Sequence, residues 1–305
     1  MKIFQIANIA VTTAFLLMGM ATDTQGDLPE SLWVSGGPSA GTTICDRSKP
    51  CESFAIALGV LATSASGGSI NALNAGNYGP FTVTESCTID GTGTFAGVIV
   101  DSSFSGNACE INGGSPVVLR NLTFEGNGTS TGVAINFVSG NQLIIENCVI
   151  NGFSQAIQVG NFSGALIISN TVISNCSTGI ILGDNTGMVA QLSNVSILNM
   201  GSGILTAGAT VNIMNCVITQ CASVGVAGSG ELGSCVVSCT DSLFTVNGTA
   251  VESGNRCHMY LSNNDFYDNE TTLEVSGSGI FLSANNNRVG SSGSSTPSTS
   301  GIQLQ

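Results

Sequence analysis

The sequence predicts an all-β solenoid, short parallel strands coiled about one axis, with one short helix closing its N-terminal end. Three observations carry this expectation. A motif with a polar anchor recurs eight times, at intervals of 21 to 26 residues. Apolar residues alternate with others ahead of each anchor, the period of a strand with one buried face. The 305-residue chain is 42% hydrophobic, only 8% charged and holds 40 glycines. That composition suits many short strands and frequent turns, and it excludes disorder driven by charge.

The anchors are Asn121, Asn147, Asn170, Asn194, Asn215, Asp241, Asn263 and Asn286. Four residues earlier stand Val117, Leu143, Leu166, Ala190, Val211, Val237, Met259 and Leu282. Two earlier come Leu119, Ile145, Ile168, Leu192, Ile213, Cys239, Leu261 and Ala284. Three after the anchor come Phe124, Ile150, Ile173, Ile197, Ile218, Phe244, Phe266 and Val289. A further strand follows in each unit, near 132–136, 156–159, 179–182, 203–205, 224–227, 249–252 and 271–275. With two or three strands in about 23 residues, no helix fits inside a unit. Each unit must then stack on the last at roughly 4.8 Å, laying like residues on like. The anchor column belongs at a bend, where its amides bond the next coil and nearby backbone.

The ends follow the same logic. The stretch 54–62 has Phe54, Leu58 and Leu61 on one helical face. It is placed to cover the apolar end of the first coil, as solenoid caps do. Residues 291–300 are rich in Ser, Gly, Thr and Pro and read as a tail. Residues 1–21 read as a secretory signal, with Lys2 ahead of an uncharged apolar run and small residues at Gly19 and Ala21. An uncleaved membrane anchor is the competing reading at that length. The expected organisation is a signal peptide over 1–21, an N-terminal segment with the capping helix over 22–66, the coiled body over 67–290 and a tail over 291–305.

The repeat typified by Ile145-Glu146-Asn147-Cys148-Val149-Ile150 resembles the right-handed parallel β-helix proteins of the pectate-lyase-like superfamily, over roughly residues 31–305. The N-terminal block is similar to a secreted bacterial subgroup: Trp33-Val34-Ser35, Cys45 to Pro50-Cys51, Gly68-Ser69-Ile70-Asn71-Ala72-Leu73 and Thr88-Ile89-Asp90-Gly91-Thr92-Gly93. The resemblance implies a right-handed parallel β-helix and an exported protein, periplasmic or extracellular. It implies no defined reaction.

The formal charge of −13 becomes −14 once the segment bearing Lys2 is removed. Only Arg47, Lys49, Arg120, Arg256 and Arg288 then remain as strong bases. Nucleic acid, which needs clustered Lys and Arg, is not an expected partner, and no membrane contact is expected after signal cleavage. Anionic polysaccharide would be repelled unless a cation intervened.

Eleven cysteines in an exported chain suggest disulfides with one thiol left over. Cys235 and Cys257 each lie six residues before an anchor, which sets them in one column on adjacent coils within disulfide reach. Cys87 and Cys109 are 22 residues apart, close to one coil, and are expected to do likewise. Cys45 and Cys51 are placed to close a small loop before the cap. Zinc is the rival reading, although no CxxC exists and His258 is the only histidine. Cys239 falls in an inward column and reads as a buried thiol.

In the resembled family, lyases typically hold calcium with carboxylates and take a proton with a basic residue, and related glycoside hydrolases use sets of Asp residues. This chain has no Asp-Asp pair and no Gly-His-Gly, and Asp184-Asn185-Thr186 is a loose echo of an acidic turn. One constellation passes the register test. Glu252 and Glu274 each follow their anchors by eleven residues, which sets them on adjacent coils about 5 Å apart. In the family this third strand sheet usually forms the sugar groove. Glu252, Glu274 and Arg256 are therefore the candidate catalytic residues, since retaining glycosidases hold two carboxylates about 5–5.5 Å apart. Glu252, Glu274 and Asp268 are the candidate calcium ligands, with further oxygens required from backbone or water. Two solvated surface charges are the plain alternative.

Three functions compete. The favoured expectation is a secreted, non-catalytic β-helix protein, surface- or matrix-associated and in contact with carbohydrate. The second is a polysaccharide lyase or glycoside hydrolase using the Glu252/Glu274 groove. The third, an adhesin-like or fibre-like oligomer, ranks last because no heptads are present to trimerise the chain. Fold alone does not choose among them.

Overall fold

The computed structural model describes residues 30–36, 44–63, 67–128, 131–183, 187–230, 233–284, 286–291 and 303–304. The signal-like segment, the Asp184–Thr186 echo and most of the tail lie outside these residues. The chain is a parallel β-solenoid. Its long sheet stacks twelve strands, from Glu30–Val34 through Gly68–Ala72, Cys87–Asp90 and onward to Cys257–Ser262, Ile280–Ser283 and Gln303–Leu304. The coil at Gly164–Ser169 illustrates the unit. After its anchor, Asn170, come a short strand Val172–Ser174, a second bend and an outer strand Thr178–Leu182. The short and outer strands of successive coils make up a 17-stranded system.

The expected files form. Ile150 pairs with Ile173, and Ile173 with Ile197, in parallel register, and all three side chains are fully buried. Val117, Leu143, Leu166, Ala190 and Val211 follow one another in the long sheet. Burial of such continuous files supplies the main folding force, roughly 25 cal/mol per Å² of apolar surface.

The last coil departs from the expected register. Met259 stands beside Phe281 rather than Leu282, and Leu261 beside Ser283 rather than Ala284. Arg288 is nevertheless in step with Asp265. One extra residue is therefore accommodated between Ser283 and Asn286, and a one-residue slip turns each side chain to the opposite face.

Seven anchors, from Asn121 to Asn263, have φ between 49° and 57°. Asn and Asp reach this left-handed region more easily than other side-chain-bearing residues, so the anchor residue itself makes the bend. Asn194 donates to Asn170 at 2.6 Å, and Asn147 donates to Asn121. A second left-handed column lies at Asn127, Gly152, Asn175, Asn199, Gln220, Val246 and Asp268, where the chain turns into the outer strand.

The two starting rungs are well covered. Helix Phe54–Leu61 begins at Ser53, whose hydroxyl accepts from the Ile56 amide at 3.2 Å. It buries Phe54, Ala57, Leu58 and Leu61, and the Phe54 ring lies 4.7 Å from that of Tyr78. The strand Glu30–Val34 is already a rung, parallel to Gly68–Ala72, so the solenoid starts well before residue 67. Cys45 and Cys51 are joined by a disulfide. Their loop bonds the outer edge of this rung through Trp33 N–H to Cys45 C=O and Cys51 N–H to Trp33 C=O, which protects an exposed strand edge.

Cys87 and Cys109 do not pair; both are buried thiols. Cys87 lies in the long sheet beside Val117, whereas Cys109 lies in an outer strand beside Ile135. A spacing near one coil does not place two residues in one file when they occupy different parts of the coil. Burial pushes the Cys87 thiol up to about 12, helped by the charge of Glu85. Among the described residues no helix is long and apolar enough to cross a membrane.

Candidate functional site

The outer strands bring Glu252 and Glu274 together. The two are register partners on Thr249–Ser253 and Thr271–Val275, and both are half-buried. Their flanking partners are hydroxyls. Thr249 donates to Glu274 at 3.1 Å, and Ser276 donates to Glu252 at 2.9 Å. Glu274 is thus tied to the strand of Glu252, and Glu252 to the residue that follows the strand of Glu274. In the same outward file the neighbours on earlier coils are Ala227, Leu205, Ile181, Gln158 and Asn136, an apolar stretch followed by amides.

The other two candidates lie in turns rather than on these two strands. Arg256 sits in a left-handed turn, with its backbone N–H bonded to the Ser278 hydroxyl at 3.1 Å. Asp268 occupies the second bend and accepts from Ser291. Among the described residues no three His, Cys, Asp or Glu side chains converge as a metal site. The triad of Glu252, Glu274 and Asp268 is therefore corrected: register unites the two glutamates, while the aspartate belongs to a different turn.

A second arrangement lies along the anchor bend. One depression of about 410 Å³ is bordered by Gly91, Thr94, Asn121, Thr123, Asn147 and Val149. Another, of about 270 Å³, lies on the same bend further along, between Asn215, Asp241, Leu243, Asn263, Asp265 and Arg288. The position two residues after each anchor forms the wall, because the residues on either side of it point inward. This file runs Thr123, Val149, Val172, Ser196, Val217, Leu243, Asp265, Arg288. Val149 and Val172 are exposed within it. Sequence reasoning treated the anchor column as structural and passed over this wall. The alternation after each anchor, with the third residue apolar in every copy, was the available signal.

Charge is arranged at both ends of the bend. At the first depression Arg120 lies 3.1 Å from Asp90 and 3.9 Å from Glu146. Partial burial works to raise the Asp90 carboxyl. Hydrogen bonds from the Thr92 hydroxyl, the Asn121 amide and the Thr92 backbone, with Arg120 beside them, outweigh it and hold Asp90 below its usual value. At the second, Arg288 grips both oxygens of Asp265, through Nε and, at 2.7 Å, through Nη2. That bond holds the Asp265 carboxyl down. The surface between carries paired amides and valine edges, chemistry for neutral polar ligands that present apolar patches.

A chain whose parallel strands coil with Asn or Asp stacked along one bend has the parallel β-helix repeat fold. The model of the family described as right handed beta helix region matches residues 155–304. Among solved structures, the GH136 lacto-N-biosidase from Eubacterium ramulus aligns with a TM-score of 0.50 and 9% identity, covering 90% of this chain and 68% of that one. The A-module of an Azotobacter vinelandii mannuronan C-5 epimerase aligns with a TM-score of 0.40 and 10% identity, covering 80% and 95%. At such identity the likeness is one of fold. No curated protein matches the sequence.

Proposed function

We propose that this is a secreted, non-catalytic β-helix protein of a cell surface or matrix that contacts neutral carbohydrate along its anchor bend. The observation carrying the reading is the pair of depressions on one bend, about 410 and 270 Å³ in size, the first bordered by Asn121, Asn147 and the exposed Val149, the second by Asn215 and Asn263 beside the Asp265–Arg288 ion pair. A sugar presents hydroxyls that pair with amides and C–H faces that pack on aliphatic edges. The net charge of −13 favours neutral over anionic chains. The shared fold with a lacto-N-biosidase is compatible with such a ligand but assigns no activity.

The test is affinity electrophoresis against neutral and anionic polysaccharides, with and without calcium. Retardation by a neutral polymer is expected. Val149→Glu, at an exposed position on the border of the first depression, should weaken it at least about tenfold, a loss of about 1.4 kcal/mol. No retardation by any polymer would sink the proposal.

A second reading rests on the register pairing of Glu252 with Glu274. If the pair is catalytic, new reducing ends or unsaturated products accumulate with the same polymers, and Glu252→Gln abolishes them. Calcium-dependent turnover would point to a cation at these glutamates, with remaining ligands from outside the proposed triad.

A further inference from the structure

We propose that Cys235 and Cys257 form an inter-coil disulfide that locks two late coils of the solenoid together, and that Gly228 is the residue that makes room for it. The two cysteines are direct register partners in the long sheet. Adjacent parallel strands lie about 4.8 Å apart, inside the Cα range that disulfides span. In the structure both are free, fully buried thiols, so the expected bond is not formed there, but their sulfurs face each other at 2.6 Å, closer than ordinary non-bonded sulfur contact. The cavity holding them is built by an absent side chain. A Cβ placed on Gly228 would stand 2.5 Å from the Cys257 sulfur and 2.8 Å from that of Cys235. No φ above zero is required of this glycine, so conformation does not account for it, whereas space for the sulfurs does.

The thiols are also prepared for the reaction. Cys257 donates toward Cys235, which holds the Cys235 thiol below its usual value and raises that of Cys257. One of the two cysteines, as its thiolate, displaces one thiol from a small-molecule disulfide such as oxidised glutathione. The thiolate of the other then attacks the mixed disulfide and releases the second thiol. Two S–H bonds and one external S–S bond are lost, and one internal S–S bond and two external thiols are made, so electrons and protons balance. Full burial places this exchange during folding, while the coils are still open.

The test uses the full chain refolded in a buffer of oxidised and reduced glutathione, then alkylated under denaturing conditions without reductant and digested. A cross-linked peptide pair containing Cys235 and Cys257 is expected, two hydrogens lighter than the sum of the free peptides, and it should vanish on reduction. Gly228→Ala should lower the cross-linked fraction. Recovery of both cysteines alkylated, or bridged to other cysteines, would overturn the proposal. So would one zinc ion retained per reduced chain and lost in the Cys235→Ser/Cys257→Ser variant, since the pair would then be a metal site. Equal cross-linking in Gly228→Ala would overturn the role given to that residue.

Discussion

At the scale of single residues, polar side chains in this protein act mainly by holding one coil to the next. Asn247 shows how. It is 1% exposed. Its oxygen accepts from the Cys221 amide at 3.0 Å, and its nitrogen donates to Ile218 C=O and Asn269. Its Asn-x-Thr context, readable as a glycan acceptor, therefore marks a buried rung of a ladder. Asp90 is the charged counterpart. Its folded carboxyl is held below the usual value near 3.9. A depressed acid stabilises the fold above its unfolded pKa, and that contribution is lost as pH falls through the folded value. Asp90→Asn is expected to lower Tm at pH 7 through the loss of charge-assisted hydrogen bonds, about 1–2 kcal/mol. The gap from wild type should shrink steadily below about pH 4. Thermal melts from pH 7 to pH 2 measure it; a gap independent of pH would contradict the assignment.

At the scale of elements, the two bends differ in how well their residues suit them. The anchor bend uses Asn or Asp at each left-handed position from Asn121 to Asn263. The second bend is mixed, and in one coil it forces Val246 to a φ of 57°. A β-branched residue there is strained by roughly 1–2 kcal/mol. Val246 is 52% exposed, so replacing it disturbs little packing. Val246→Asn is expected to stabilise the protein by about 1 kcal/mol, seen as a higher urea midpoint with unchanged slope. This irregularity also explains what could be read from the sequence. The anchor bend was legible because one residue type repeats at one place between alternating apolar positions. The second bend was not, because Asn, Gly, Gln, Val and Asp all occupy it and only the backbone angle unites them.

At the scale of the whole molecule, stability should be graded along the axis. Each rung contacts only its neighbours, so central coils are supported on two sides and end coils on one. The start is closed by the helix and the Cys45–Cys51 loop. The last full coil carries an extra residue, and its Val289 is 62% exposed. Hydrogen exchange is expected to be slowest for strands between Gln142 and Thr240, and fastest among the coiled strands at Ile280–Ser283 and Arg288–Val289. Uniform protection along the axis would show that the solenoid opens only as one unit.

The sequence by itself determined the coil. Period-two alternation and a recurring turn residue are local, and each copy restates them, so the files of Ile150, Ile173 and Ile197 and the pairing of Glu252 with Glu274 could be counted out in advance. Tertiary structure alone decided matters that depend on where within a coil a residue falls. Cys87 and Cys109 have the right interval and the wrong strands. Phe281 replaces Leu282 in the core because one residue is absorbed before Asn286. The depressions on the bend are spaces left between residues of successive coils, volumes that no linear spacing records.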